Sequence, residues 1–88
     1  MKDYVIGELR VILKDLFMEI EEGTHLIGKS GIIDSLGLVE LCLRLEDVCL
    51  KEGFEFDWTS DSAMSRNTSI FRTVGSLSEE LERQKLSR

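Results

Sequence analysis

Between Asp3 and about Ile20 the apolar residues fall at Val5, Leu9, Ile12, Leu13, Leu16, Phe17 and Ile20, a spacing near 3.6 residues that predicts an amphipathic helix. Lys2, Glu8, Arg10, Lys14, Asp15 and Glu19 fill the opposite side. Gly23 ends the pattern. The connection that follows carries Gly23, Gly28 and Gly31 around the apolar pair Leu26-Ile27, which should pin the loop to the core. A second helix is expected from Asp34, as its N-cap, to about Lys51, stopping near Gly53.

That second helix carries two apolar stripes. Leu38, Leu41, Cys42, Leu45, Val48 and Cys49 form one, and Leu36, Val39, Leu43 and Leu50 form another rotated away from it. Only one can face the core of a small domain. The other must border solvent, meet a partner or shield something carried.

Phe54-Glu55-Phe56 alternates like a strand but is too short to build a sheet, so its rings should close the end of the core. Asp57 to Ser69 is polar and turn-rich, with Trp58, Ala63 and Met64 as anchors and room for a short helical turn or two. A last helix follows Phe71-Arg72-Thr73, with Val74, Leu77 and Leu81 facing inward and Leu86 a further candidate. Either Thr73 caps it, or Ser76 does through the box Ser76-x-x-Glu79. The pattern predicts an all-α fold of three main helices and a minor one.

Composition narrows the function classes. Eighty-eight residues fit one domain over residues 1–88, and a chain of this size buries only about 60% of its unfolded surface. With 42% hydrophobic and 32% charged residues the chain is expected to be globular and soluble. A formal net charge of -6 disfavours nucleic acid and favours basic partners. No apolar run approaches the roughly 20 residues of a membrane helix, so no membrane insertion and a cytoplasmic address are expected. Cys42 and Cys49 lie seven apart on one helix, a rise of about 10 Å. That exceeds disulfide reach, and both are expected as buried free thiols.

Two motifs compete for the chemistry. Gly23-Thr24-His25-Leu26-Ile27-Gly28-Lys29-Ser30 matches the phosphate-loop pattern G-x-x-x-x-G-K-S/T, which suggests nucleotide binding. Its context argues against that reading, because an amphipathic helix precedes it and Gly31-Ile32-Ile33 separates it from the next helix. His25 has no metal-ligand cluster or nucleophile beside it in the sequence and is read as an isolated loop residue. The second motif is Asp34-Ser35-Leu36, which places a serine in the first helical turn, where backbone N–H groups lack partners and an attached anion is stabilised.

Gly31-Ile32-Ile33-Asp34-Ser35-Leu36, then Val39-Glu40-Leu41 and Leu45-Glu46, and finally Phe71-Arg72-Thr73-Val74-x-x-Leu77, together resemble the acyl carrier protein family, whose members include peptidyl carrier or thiolation domains. The first helix matches by length and pattern only. The resemblance implies a small four-helix carrier bundle that is not an enzyme. It implies that Ser35 takes covalent 4'-phosphopantetheine, donated from coenzyme A by a phosphopantetheinyl transferase, with Asp34 preceding it at the cap. The arm's thiol would then hold thioester substrates for fatty-acid, polyketide or nonribosomal-peptide-type biosynthesis.

Leu36, Val39 and Leu43 would contact partner enzymes, including an acyl- or aminoacyl-loading enzyme and downstream enzymes, while Glu40, Glu46 and Asp47 would guide their basic surfaces. Leu41, Leu45 and Val74 would help line an interior that shelters an acyl chain. Gly37, Arg44 and Phe54-Glu55-Phe56-Asp57 depart from the family pattern. A monomer is expected, although Leu36, Val39 and Leu43 could instead form a dimer seam. The alternatives are an unmodified helical interaction module, in which Ser35 merely starts a helix, and a phosphate-loop protein using Lys29 and Ser30.

Overall fold

A computed structural model describes residues 1–58 and 70–87. It contains helices α1 (Lys2–Leu13), α2 (Ser35–Lys51) and α3 (Val74–Ser87), and no extended strand among the described residues. The short helix expected between Asp57 and Ser69, with Ala63 and Met64, falls outside the described residues apart from Asp57 and Trp58. Trp58 packs against the core as an anchor.

Helix α1 is shorter than its hydrophobic pattern predicts, ending at Leu13 and not near Ile20. Lys14 adopts the left-handed conformation (φ 57°, ψ 36°), and its N–H donates to Val11 O while Asp15 N–H reaches back to Arg10 O at 3.1 Å. These two bonds satisfy the carbonyls at the helix end without a glycine. Arg10 Nε then donates to Met18 O at 3.1 Å, holding the turn that follows. Leu16 and Phe17 consequently point to solvent, Phe17 with 93% of its surface exposed, while Ile20 returns to the core with Met18 packed against it.

From Glu22 the chain runs antiparallel beside the entry to α3. Leu26 N–H donates to Arg72 O, Val74 N–H to Thr24 O and Gly75 N–H to Glu22 O, at 3.0, 3.0 and 2.8 Å. The only bridge among the described residues pairs His25 with Thr73. This backbone clasp fully buries Leu26, as its apolar character required.

Asp34 caps α2 by accepting from Gly37 N–H at 2.8 Å. The other end stops at Gly53 (φ 93°), where Gly53 and Phe54 N–H groups return to Leu50 O and Cys49 O. Both boundaries follow from the residue types the sequence places there. At α3, Ser76 N–H donates to Thr73 Oγ1 at 3.1 Å and Thr73 N–H to Ser76 Oγ at 3.0 Å. Thr73 is therefore the cap, with Ser76 in the reciprocal position usually given to Glu or Gln.

Helix α1 approaches both α2 and α3, and one core joins Val5 and Leu9, Leu41 and Leu45, and Leu77 and Leu81. Phe54 and Phe56 are buried beside them, with no sheet around them among the described residues. Leu86, a candidate for the inner face, is instead 82% exposed, because α3 extends past the core there. Cys42 and Cys49 are free and buried. Burial, followed by the charge of Glu46, raises the Cys42 thiol to about 12, and burial with Glu52 and Glu46 raises Cys49 to about 11.

Two carboxylates clamp the helix ends together. Glu52 accepts from Lys85 Nζ at 3.1 Å and from the Tyr4 hydroxyl at 3.3 Å, and the N-terminal ammonium donates to Glu82 at 2.7 Å. The hydrogen bond from Lys85 lowers the Glu52 pKa, and that from the N-terminus lowers Glu82. A carboxylate whose folded-state pKa is depressed binds its proton more readily in the unfolded chain, so its stabilisation is complete at neutral pH and lost on acidification. Urea midpoints are expected to fall steadily from about pH 5 downward, and the double variant Glu52→Gln, Glu82→Gln should flatten that slope; an unchanged slope would show that other groups control it.

Candidate functional site

The site is assembled from the loop after the clasp and the first turn of α2. Ile32 N–H donates to His25 O at 3.1 Å and Ile33 N–H to Leu26 O at 3.0 Å, folding the loop back on itself. Gly31 is required at this crossing, since an added Cβ would lie 2.5 Å from the Ile27 Cα. Ile33 is driven into the core while Ile27 and Ile32 remain half-buried on its edge. Gly31→Ala should therefore destabilise the protein by about 1–3 kcal/mol and shift amide resonances over residues 26–35, as NMR would show. A variant with wild-type melting and an unchanged spectrum would refute the steric argument.

Ser35 is the first residue of α2 and is exposed. Asp34 satisfies the Gly37 amide and its carbonyl accepts from Leu38 N–H at 2.9 Å. Helix geometry leaves the Ser35 and Leu36 amides without intrahelical partners, so Ser35 sits at the positive end of the helix. Gly37 sits where a Cβ would come within 3.1 Å of the Ile33 Cβ and 3.3 Å of Asp34 Oδ1. Glycine here allows Ile33 and the capping carboxylate to close on the helix.

Beside Ser35 lies an open depression of about 600 Å³ between Ile27, Gly28 and Gly31 on the loop side and Asp34, Ser35 and Leu38 on the helix side. Ile32 also lines it. This concavity has no local signature, because Ile27 and Ile32 are brought to one wall by the backbone bonds from Ile32 and Ile33 to His25 and Leu26, several residues away.

The outer face of α2 has the predicted division. Leu38, Leu41, Cys42, Leu45 and Cys49 pack inward, whereas Leu36, Val39, Leu43 and Leu50 are exposed, Leu36 at 80%; Val48, expected on the inner stripe, is only half-buried at its edge and does not join the core. At about 100° of rotation per residue the exposed four occupy an arc roughly 60° wide, with Glu46 at one edge and Asp47 and Glu40 at the other. Arg44 does not neutralise this rim evenly: it donates to Glu8 of α1 at 3.4 Å and lies 3.8 Å from Glu40. Leu41, Leu45 and Val74 have no exposed surface, and none of them lines the depression beside Ser35.

The phosphate-loop segment has a different environment from the one that motif needs. Thr24 and Leu26 spend backbone groups on the clasp with Arg72 and Val74, and Gly31 N–H returns to Gly28 O. Lys29 and Ser30 are exposed, and the loop leads into α2 only after Gly31 to Asp34. His25 is exposed, and no group of three or more His, Cys, Asp or Glu side chains is placed to hold a metal among the described residues. No described helix is long and apolar enough to cross a membrane.

A scan against protein families finds no matching family model, and searches among curated proteins and solved structures find no match.

Proposed function

We propose that this chain is a discrete acyl or peptidyl carrier, a four-helix carrier bundle bearing 4'-phosphopantetheine on Ser35, and not itself an enzyme. The observation that carries the reading is an exposed serine in the first turn of α2, next to an outer apolar stripe edged by carboxylates. Solvent access lets a transferase reach the hydroxyl, and the depression leaves room beside it for the arm. When bound, the arm supplies a thiol that carries acyl or aminoacyl groups as thioesters.

The residues of this chain present, orient and recruit. Ser35 Oγ would bond to the pantetheine phosphorus while the pyrophosphate link of coenzyme A breaks; the transferase takes the hydroxyl proton and the adenosine bisphosphate half leaves. No base is needed in the carrier, in keeping with the exposed hydroxyl. The unpaired amides of α2 favour the phosphodiester charge by about 0.3–1 kcal/mol. Leu36, Val39 and Leu43 provide apolar contact to the transferase, loading enzyme and later enzymes, and Glu40, Glu46 and Asp47 steer basic surfaces toward it.

Intact mass after incubation with coenzyme A and a broad-specificity phosphopantetheinyl transferase tests the proposal, with a gain of one arm expected. Folded protein that gains nothing with several competent transferases would overturn it and leave an unmodified helical interaction module. The steering term has its own test. Glu40→Lys with Asp47→Lys should slow arm transfer roughly tenfold at low salt, with the difference shrinking as salt screens the charges; equal rates at low salt would contradict it.

A further inference from the structure

We propose that the arm on Ser35 folds back into the depression beside it, with Ile27, Ile32 and Leu38 as its apolar bed, so that the carried group is sheltered on the surface and not inside the helical core. This inference rests on the carrier reading and adds a position for the arm.

Continuity is the first argument. Ser35 is itself part of the wall, so an arm attached to its hydroxyl begins inside the depression. Size is the second, because about 600 Å³ lies within the range of roughly 300–1,000 Å³ typical of small-molecule sites. Chemistry is the third. Ile27, Ile32 and Leu38 are half-buried, packed against the core on one side and bare on the other, so they are already ordered before anything binds. At Gly28 an added Cβ would meet nothing within 4 Å, and the bare backbone there can approach the amides of the arm.

Among the described residues the core is closed where the carrier resemblance would have placed the chain. Leu41, Leu45 and Val74 are fully buried, and admitting a chain among them would require close-packed side chains to separate. Tethering also changes the affinity needed. A short flexible tether gives an effective concentration in the millimolar range, so a site with a dissociation constant of about 1 mM holds the arm for roughly half the time. Such a site shelters the thiol yet releases it to an enzyme.

The test uses isotope-labelled protein carrying the arm, prepared with coenzyme A and the transferase. Nuclear Overhauser contacts are expected from the geminal methyl groups of the arm to the methyls of Ile27, Ile32 and Leu38. Ile32→Ser should weaken them and raise the rate at which the arm's thiol reacts with an aromatic disulfide about twofold; Ile27→Ser should do the same if the first variant folds poorly. Cys42 and Cys49 remain silent because both are buried.

Arm signals as sharp as those of free pantetheine, or contacts to Leu41, Leu45 and Val74, would overturn the inference while the mass gain still upheld the carrier reading. Absence of any mass gain would overturn both.

Discussion

Ser35→Ala is expected to abolish the mass gain completely while leaving the melting temperature unchanged or slightly raised. The two halves of this result have separate causes. Arm transfer needs a hydroxyl at that position, and alanine has none. Stability needs a helix cap, and Asp34 supplies it through its 2.8 Å bond from Gly37 N–H. Were Ser35 only a cap, its loss would cost about 0.5–2 kcal/mol; as the first helical residue it is replaced by a better helix former. Intact mass therefore distinguishes the attachment reading from the plain helix-start reading, and unchanged melting of the same sample shows that the lost gain is not a loss of fold. A full-sized mass gain in Ser35→Ala would move attachment to another hydroxyl, such as Ser30, and remove the basis of the proposal.

Helix α2 was legible because its ends carry local signals, Asp34 at one and Gly53 at the other, and because its inward residues follow helical spacing without interruption. The end of α1 was not. Its apolar spacing continues through Leu16, Phe17 and Ile20, yet the backbone turns at Lys14, a residue type that seldom takes the left-handed conformation. Sequence periodicity reports which residues could share a face, not whether the chain keeps turning.

Similar reasoning applies to the site. Ser35 and the outer stripe could be read from spacing along one helix. The depression could not, since it depends on Gly31 crossing Ile27 and on amides of Ile32 and Ile33 finding carbonyls in His25 and Leu26. Leu41, Leu45 and Val74 were legible as inward residues, but whether inward meant hollow or solid is a property of how three helices and the clasp fill the space between them. Their complete burial shows that the described residues close over these three side chains.

That packing gives the second large effect, expected from two substitutions two residues apart on α2. Leu45 is fully buried, so Leu45→Ala removes apolar contacts and leaves a cavity, at a loss of about 2–5 kcal/mol. A domain of this length has only about 4–13 kcal/mol of stability in total, and with a urea dependence near 1 kcal/mol per molar the midpoint should fall by about 2 M or more. Leu43 lies on the exposed stripe, and leucine and alanine are close in helix propensity. Leu43→Ala should therefore leave the midpoint within about 0.5 M while slowing arm transfer. The opposite assignment, with Leu43→Ala destabilising and Leu45→Ala tolerated, would mean that the helix is rotated about its axis and that its partner-facing stripe has been misidentified. Loss of stability in both would make the outer stripe a structural interface, as a dimer seam requires, and the Leu43→Ala loss should then shrink as protein is diluted and the wild-type dimer comes apart. Only the combination of a stable, slowly modified Leu43→Ala and an unstable Leu45→Ala matches a helix whose inner face holds the fold and whose outer face is left to partners.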